Sequence, residues 1–334
     1  MIANITCSDM HTGGEPVRIV TSGYPDIPGD TILDKRIYAR NHLDHLRKML
    51  IYEPRGHADM YGVLLVKPDH VDADIAVLFM HNEGYSTMCG HAIIALGRFA
   101  IDQRLVPIVE PETLIKIQCP CGLINTYVSV VNGKPSEVRF TSVPAFAYIV
   151  EKPIMTDSFG LVNVDIAYGG AFYAVTTTNE LGLCINSSKT QNLVDAATDI
   201  SAAVRTQVSL EHPEQPDLGF LYGTIFTDGK DTFSSQPTKN ICIFANSQVD
   251  RSPTGSGVTA RIALQHKKGQ ISIGQSRVFQ SVTGSTFSGK AISQTSCGAL
   301  KAVIVEVSGK SYYTSRSHFT LEKEDEMGRG FLLR

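Results

Sequence analysis

Short runs of apolar residues separated by tight turns make up most of the chain. These runs are rich in Val, Ile, Thr and Tyr and are punctuated by Asn-Gly, Asp-Gly and Gly-Lys turns, a pattern that is typical of β-strands. They cover Gly62–Lys67, Ile75–Met80, Leu114–Gln118, Gly122–Val131, Ala171–Thr176, Gly219–Thr227, Ile241–Ala245 and Ala302–Val307. Leu43, Leu46 and Leu50 recur at helical spacing, which predicts one early helix over Ile32–Leu50.

Two further helices are predicted to start near Gly90 and Gly255, and both are apolar on nearly every side. Helices of this kind lie inside a domain rather than on its surface. The sequences at the two helix starts can be aligned, with Cys89 and Gly90 matching Thr254 and Gly255. The spacing between the matched positions is 254 − 89 = 165 residues, about half the chain. A repeat of this length predicts an α+β fold of two pseudo-symmetric domains, each wrapping β-sheet around a central helix.

The division between the predicted domains is not marked by a linker rich in Pro, Gly or Ser. We expect an N-terminal half over residues 1–160 that carries Cys89, and a C-terminal half over residues 161–315 that carries Thr254. The last segment, residues 316–334, is expected to return to the N-terminal half.

The composition is that of a globular protein, with 334 residues of which 43% are hydrophobic and 19% charged. A net charge of −3 predicts no nucleic-acid partner, and no apolar run is long enough to span a bilayer. The first residues, Met1–Cys7, lack the pattern of a secretory signal. Seven scattered cysteines, an odd number, argue against a full disulfide framework and favour a reducing, cytoplasmic location.

The two predicted helix starts are candidates for an active site. A helix N-terminus presents unpaired N–H groups and a positive field, and two such ends facing each other would hold a substrate carboxylate. The same field favours a thiolate at Cys89, which could then remove a proton from the carbon next to that carboxylate. A lone free cysteine is more often a small buried hydrophobe. The adjoining Gly90-His91 and the matching second half favour the catalytic interpretation for Cys89 alone among the seven cysteines.

Four other patterns predict no site. Gly284–Ala291 approaches a phosphate-binding loop but ends in Ala and lies between strand-like segments, so we interpret it as a turn. His42 and His45 lack a third ligand in register, so no metal site is predicted. Cys119 and Cys121 are too close in sequence for a redox or zinc motif and predict a bend at a strand end. The charged run Glu322–Glu326 predicts an exposed turn.

Four segments resemble the proline racemase family across essentially the whole chain. The two signature motifs are Tyr85–Ala92 (YSTMCGHA) and Asp250–Gly257 (DRSPTGSG), and His11–Arg18 and Glu53–Gly62 also match. The resemblance implies the diaminopimelate-epimerase-like fold and no cofactor. In racemases and epimerases of the family each motif supplies a catalytic cysteine, whereas this chain has Thr254 at the second position. That Cys/Thr pattern resembles the branch that dehydrates trans-3-hydroxy-L-proline, above all its animal-type members.

The resemblance also implies roles for individual residues. Cys89 and Thr254 occupy the catalytic positions, and Thr254 is expected to cap its helix and close the pocket. The other residues implicated bind the substrate: the amides of Gly90, His91, Gly255 and Ser256 hold the carboxylate, Asp250 and the His91 ring hold the ring nitrogen, and Tyr61 and Phe244 form aromatic walls. For Tyr61, a core aromatic is an equally good interpretation. We therefore expect a small-molecule substrate, no nucleic-acid or membrane partner, and a homodimer as a candidate assembly.

Thr254 distinguishes between racemisation or epimerisation, which needs a second acid–base group, and dehydration, which does not. A hydroxyl is a poor general acid or base near neutral pH, so proton exchange from two faces should fail. In trans-3-hydroxy-L-proline the hydroxyl shares a ring face with the α-hydrogen, so one thiol suffices for a syn elimination of water. The predicted activity is that of a hydro-lyase. The alternatives are a proline racemase or hydroxyproline 2-epimerase and, from another class, a non-catalytic protein that binds imino acids.

Overall fold

The structure is a computed structural model and describes residues 3–245 and 247–333. These residues form five α-helices and eighteen β-strands. The helices are α1 (Ile32–His42), α2 (Asp44–Ile51), α3 (Gly90–Asp102), α4 (Thr190–Gln207) and α5 (Gly255–Lys267). The strands, in chain order, are β1 (Ala3–Thr12), β2 (Glu15–Ser22), β3 (Tyr61–Val66), β4 (Ile75–His81), β5 (Gly84–Ser86), β6 (Glu112–Cys119), β7 (Gly122–Val131), β8 (Lys134–Thr141), β9 (Phe146–Thr156), β10 (Gly160–Tyr168), β11 (Phe172–Thr177), β12 (Leu221–Thr227), β13 (Thr238–Phe244), β14 (Gln248–Asp250), β15 (Ser276–Gln280), β16 (Thr286–Cys297), β17 (Leu300–Gly309) and β18 (Ser311–Leu321).

The chain divides into two compact units. Unit 1 comprises Met1–Arg139 together with Lys310–Arg334, and unit 2 comprises Phe140–Gly309. These divisions differ from the expected ones at residues 160 and 315. The first lies earlier because β9 and β10 pair as an antiparallel hairpin on either side of residue 160, so that both strands belong to unit 2. The second lies earlier because β18 pairs along its whole length with β1 of unit 1.

The same order of strand pairings occurs in each unit. In unit 1, β2 is parallel to β3, β3 is antiparallel to β4, and β4 is parallel to β6. In unit 2, β11 is parallel to β12, β12 is antiparallel to β13, and β13 is parallel to β15. Helices α1 and α2 connect the first parallel pair in unit 1 and α4 does so in unit 2, while α3 and α5 precede the last strand of each series. The predicted α+β fold with an internal repeat is therefore confirmed.

Helices α3 and α5 form the centre of their units, as the apolar sequence pattern predicts. Each has thirteen residues, of which eleven are buried. Helix α3 packs on β1 and β7, and α5 packs on β9, β10, β16 and β17. The fit around α3 is close, because a Cβ on Gly97 would lie 2.6 Å from Val138 Cγ1. The predicted starts at Gly90 and Gly255 are both confirmed.

The eight predicted strand segments all overlap observed strands, whereas the early helix differs from the prediction. Instead of one helix there are two, because Leu43 leaves the helical conformation with φ −118° and ψ 9°. Its N–H ends α1 by donating to Ala39 O, and its carbonyl accepts from Leu46 N at the start of α2. In the part of the chain that the structure describes, no helix is both long enough and apolar enough to cross a membrane.

Two of the three segments expected to be bends or turns are confirmed. The third, Gly284–Ala291, is wrong for most of its length, because Thr286–Ala291 belong to β16, which pairs with β15. Cys119 ends β6 and Cys121 directly precedes β7. Gly284 lies in a turn that leads into β16 rather than into a helix. The charged run Glu322–Glu326 is exposed and has no regular structure.

Candidate active site

Cys89 lies at the N-terminus of the central helix of unit 1. It is the N-cap residue of α3, in extended backbone with φ −149° and ψ 102°, and its side chain makes no capping hydrogen bond. The first N–H groups of a helix lack intrahelical acceptors, so the start of α3 offers amide donors beside the thiol. The thiol forms no disulfide and the residue is 5% exposed. The site is thus a shielded sulfur at the positive end of a buried helix.

The sulfur of Cys89 is paired with the side chain of His91, the second residue of α3. Sγ lies 3.2 Å from Nδ1 and 3.6 Å from Nε2 of the ring, so an N–H at either nitrogen can donate to the sulfur. The ring of Tyr61 stands edge-on to the imidazole, with centroids 4.9 Å apart. Sequence reasoning assigns the His91 ring to the substrate nitrogen, and the structure places it against the thiol.

Tyr61, the first residue of β3, brings a buried hydroxyl close to this pair. Its hydroxyl forms a hydrogen bond with Ser86 Oγ. The other side of its ring stacks on His81, with centroids 5.8 Å apart and ring planes 26° from parallel. Tyr61 is therefore oriented both by its ring and by its hydroxyl, an arrangement that suits a buried core tyrosine as well as a substrate contact.

The two other family segments of unit 1 hold this site in place. Thr12 Oγ1 donates to the carbonyl of His91 at 2.8 Å and so fastens the first turn of α3 to β1. Arg18 forms a buried bidentate ion pair with Asp9 and donates to the carbonyl of Arg55 at 2.6 Å. Segments that are distant in sequence are thus joined around the start of α3 by buried, charge-assisted hydrogen bonds.

A second pair of thiols lies beside this loop. The sulfurs of Cys119 and Cys121 are 3.9 Å apart, and Cys121 N donates to the carbonyl of Thr87, two residues before Cys89. The hydrogen bond with Cys121, burial and nearby negative charge raise the pKa of Cys119 well above its ordinary value. Cys119 is therefore a neutral thiol that supports the turn.

Thr254 occupies the equivalent position in unit 2, at the N-terminus of α5. It adopts φ +65° and ψ 96°, a conformation that is uncommon for a β-branched residue. The side chain makes no capping hydrogen bond, so the expectation that Thr254 caps the helix is wrong. A usual N-cap residue has extended backbone, and Thr254 at positive φ does not have it.

The turn that leads to Thr254 is held by a chain of hydrogen bonds. Asp250 is buried at the end of β14, and its Oδ1 accepts from Ser252 N at 2.7 Å. Ser252 Oγ in turn accepts from Thr254 N at 3.0 Å. From the other side, Asn240 Nδ2 donates to the carbonyl of Pro253 at 3.1 Å. The peptide before Thr254 is thereby fixed at both ends.

Asn240 is itself oriented by an arginine inside unit 2. Arg261 Nη1 donates to Asn240 Oδ1 at 3.0 Å, and its Nη2 donates to Asp231 Oδ1 at 2.5 Å and to Thr238 Oγ1 at 2.8 Å. Arg261 is fully buried in α5. Burial raises the pKa of Asp231, but the charge of Arg261 and its hydrogen bonds outweigh burial and leave that pKa below its ordinary value.

The remaining predicted residues of unit 2 are buried next to tyrosines. Ser256 Oγ lies 2.7 Å from the hydroxyl of Tyr173 in β11. Burial, with nearby acidic groups, raises the pKa of Tyr173 well above its ordinary value, so this phenol is neutral. Phe244, at the end of β13, stacks on Tyr222 with centroids 5.3 Å apart. Tyr173 contacts Tyr222 edge-on. Phe244, Tyr222 and Tyr173 thus form a continuous row of aromatic rings, which ends at Ser256 in the first turn of α5.

Within each unit, the predicted residues gather around the start of the central helix. In unit 1 these are Tyr61, Cys89, Gly90 and His91, and in unit 2 they are Phe244, Asp250, Thr254, Gly255 and Ser256. Their individual roles stay predictions. Among residues 3–245 and 247–333, no cluster of three or more His, Cys, Asp or Glu side chains could hold a metal ion.

Sequence reasoning does not identify the partners of these residues: Ser86, His81, Tyr173, Tyr222 and Asn240. One signal was available for Ser86, because it lies within the motif Tyr85–Ala92 that carries Cys89.

Comparison with known proteins agrees with this arrangement. The model of the family described as proline racemase matches residues 7–332. This chain belongs to the proline racemase family. A trans-L-3-hydroxyproline dehydratase of Xenopus tropicalis is 60% identical over 98% of this chain and 94% of its own length. The trans-3-hydroxy-L-proline dehydratase of Homo sapiens is 55% identical over the same shares of the two chains.

A solved structure of the proline racemase family has the same fold. A probable proline racemase from Agrobacterium radiobacter, with bound carbonate, superposes with a TM-score of 0.92 and 27% identity, covering 98% of this chain and 96% of its own. The family's two signature motifs correspond here to the starts of α3 and α5. The predicted fold and family are thus confirmed.

Proposed function

We propose that this protein is a trans-3-hydroxy-L-proline dehydratase, a hydro-lyase that acts without a cofactor. The observation that carries the proposal is the pair of residues at the starts of α3 and α5: one is a thiol, Cys89, and the other is Thr254. Relatives at 60% and 55% identity that bear the dehydratase name support the same activity.

In the proposed reaction, Cys89 acts as a thiolate and takes the α-proton of the substrate. The N–H groups at the helix starts, among them those of Gly90 and Gly255, bind the carboxylate and stabilise the charge that develops on the α-carbon. Asp250 accepts a hydrogen bond from the secondary ammonium of the ring. The thiol that has gained the proton then delivers it to the C3 hydroxyl, which leaves as water on the same face.

The products of this step are water and the Δ2-pyrroline-2-carboxylate enamine, which tautomerises to the Δ1 imine. The thiolate is regenerated, so the proton and the hydroxide leave the substrate together and no electrons are exchanged with another reactant. A redox cofactor therefore has no step to perform. Before the substrate binds, the His91 ring, 3.2 Å from the sulfur, donates a hydrogen bond to the thiolate of Cys89.

Other parts of the proposal concern orientation and location. The hydroxyl of Tyr61, fixed by Ser86, orients the substrate ring, and Phe244 forms a wall of the pocket. We place the protein in the cytoplasm, because none of its seven cysteines forms a disulfide, and thiols persist in a reducing compartment.

The decisive experiment is an assay for pyrroline-2-carboxylate formed from trans-3-hydroxy-L-proline, followed by NMR. Wild type should form the product, and Cys89→Ser should lose activity by a factor of about a hundred or more, since a serine hydroxyl is a poor base. Cys184→Ser is the matched control, because Cys184 is exposed and is not part of the site. Full activity of Cys89→Ser would rule out the mechanism.

The rival activities give different results in the same experiment. Incubation with L-proline or trans-4-hydroxy-L-proline in D2O should not invert the α-carbon. Rapid α-deuteration with inversion would identify a racemase or an epimerase instead. Binding of imino acids without any turnover would identify a non-catalytic protein.

A further inference from the structure

The hydroxyl of Thr254 is a buried polar group without a partner. Thr254 is only 5% exposed, and its Oγ1 is inaccessible to solvent and makes no hydrogen bond with the described residues. Burying a hydroxyl without a hydrogen bond is unfavourable, so nearly all such groups in proteins are paired. An unpaired hydroxyl at this position therefore calls for a partner from outside the chain.

The fold itself does not need this hydroxyl. The methyl group of Thr254, not the hydroxyl, packs on the first turn of α5, since Cγ2 lies 3.0 Å from the place a Cβ on Gly257 would take. The hydroxyl does not cap the helix either. Valine has the same shape and would fill the same space, so packing alone explains the β-branched side chain but not its oxygen.

Thr254 directly precedes a set of donors that suits an anion. Gly255 and Ser256 are the first two residues of α5, and N–H groups at these positions have no acceptor within the helix. The positive end of the helix dipole favours a negative group at the same point. A carboxylate has about four lone-pair positions, so the hydroxyl of Thr254 can occupy one of them while the N–H groups of the helix starts share the others.

The backbone at Thr254 is held in place for such a contact. A β-branched residue at φ +65° is strained, and strain of this kind persists where the surroundings fix it. Here the fixing groups are Ser252 Oγ, which accepts from Thr254 N, and Asn240, which donates to Pro253 O. The backbone that carries the hydroxyl is thus fixed before a ligand arrives.

We propose that the hydroxyl of Thr254 donates a hydrogen bond to the carboxylate of the bound imino acid. Thr254 then has a role of its own, binding the carboxylate, at the position where racemases and epimerases of the family have the second cysteine. This inference rests on the proposed function for the identity of the ligand. The inference and the proposed function can be tested separately, because the inference concerns affinity for the carboxylate and the proposed function concerns the elimination of water.

The test is a titration calorimetry cycle with two ligands that cannot lose water, L-proline and L-prolinamide. L-prolinamide keeps the ring and its ammonium but has an amide in place of the carboxylate. Thr254→Val should weaken binding of L-proline about ten-fold or more, since a hydrogen bond to a charged group is lost. Thr254→Ser should bind L-proline within about three-fold of wild type, and the three proteins should bind L-prolinamide alike.

Thermal unfolding of the free proteins separates this role from a structural one. Thr254→Val should unfold at the same temperature as wild type or higher, because it removes an unsatisfied buried hydroxyl at no loss of volume. Should Thr254→Val not fold, Thr254→Ser and Thr254→Ala provide the same comparison with and without the hydroxyl.

Three outcomes would overturn the inference: equal L-proline affinity in wild type and Thr254→Val, equal weakening for L-proline and L-prolinamide, or no L-proline binding to wild type. The proposed function is judged separately, by whether wild type forms pyrroline-2-carboxylate. A dehydratase in which Thr254→Val binds L-proline normally would keep the function and refute only the carboxylate contact.

Discussion

The sulfur of Cys89 lies 3.2 Å from Nδ1 of His91, and both residues belong to the first turn of α3. A cationic or N–H-donating imidazole next to a thiol stabilises the thiolate, which is the reactive form in proton abstraction. The helix start and the imidazole therefore act on the same sulfur.

Replacing His91 should make Cys89 less reactive. We expect His91→Gln to lower kcat about ten- to a hundred-fold and to slow alkylation of Cys89 by iodoacetamide at pH 7, because less of the thiol is ionised. Alkylation is measured by mass spectrometry of the peptide that contains Cys89. His45→Gln, on the exposed surface of α2, is the control and should behave like wild type. An unchanged alkylation rate in His91→Gln would show that the imidazole does not act on the sulfur.

The Tyr61 and Ser86 hydroxyls should act as one unit. Tyr61→Phe is expected to raise KM for trans-3-hydroxy-L-proline about ten-fold, since the substrate loses an oriented hydroxyl near the thiol. Ser86→Ala should have a smaller effect in the same direction. The double variant should be no worse than Tyr61→Phe, which a double-mutant cycle on KM would measure. Fully additive effects would mean that the two hydroxyls act separately.

A thiol at position 254 should add proton exchange on a second face. Thr254→Cys is expected to incorporate deuterium at the α-carbon of L-proline in D2O and to form some D-proline, because a second acid–base group becomes available. Chiral chromatography and NMR measure the two products. Wild type and Thr254→Ser are the controls and should form no D-proline. Complete absence of exchange in Thr254→Cys would mean that more than one residue separates dehydratases from epimerases.

Asp231 should stabilise unit 2 in a manner that depends on pH. Its pKa is lowered in the folded protein, so its contribution is fully present above the unfolded value of about 3.9 and is lost as the pH falls below it. Asp231→Asn leaves buried Arg261 without its counter-charge and should lower the free energy of unfolding at pH 7 by about 3 kcal/mol or more.

Urea titrations at several pH values test this prediction. Wild type should lose stability between about pH 4 and pH 2 more steeply than Asp231→Asn. Asp72→Asn breaks only an exposed ion pair with Lys116 and should change stability by about 0.5 kcal/mol or less. Equal acid sensitivity of wild type and Asp231→Asn would show that another carboxylate dominates.

The central helices were the parts of the fold that the sequence predicted best. Gly90 and Gly255 both begin their helices as expected, because a run that is apolar on every side leaves a central, buried helix as its best arrangement. The early helix was predicted less well, since the helical spacing of Leu43 and Leu46 continues through a break that the backbone at Leu43 makes. Helix α4 was not predicted, although its buried residues Leu193, Ala197, Ile200 and Val204 recur at helical spacing.

The sequence by itself determined the family, the repeat and the position of Cys89 and Thr254 at the two helix starts. These follow from short contiguous motifs, whose local structure depends on neighbours along the chain. Partners far apart in sequence were decided by the tertiary structure: Tyr61 with Ser86, Ser256 with Tyr173, and Asn240 with Pro253. Such pairs depend on strand register, which only the complete set of strand pairings sets. The unpaired hydroxyl of Thr254 belongs to the same class, because burial without a partner is a property of the whole surroundings and not of the motif.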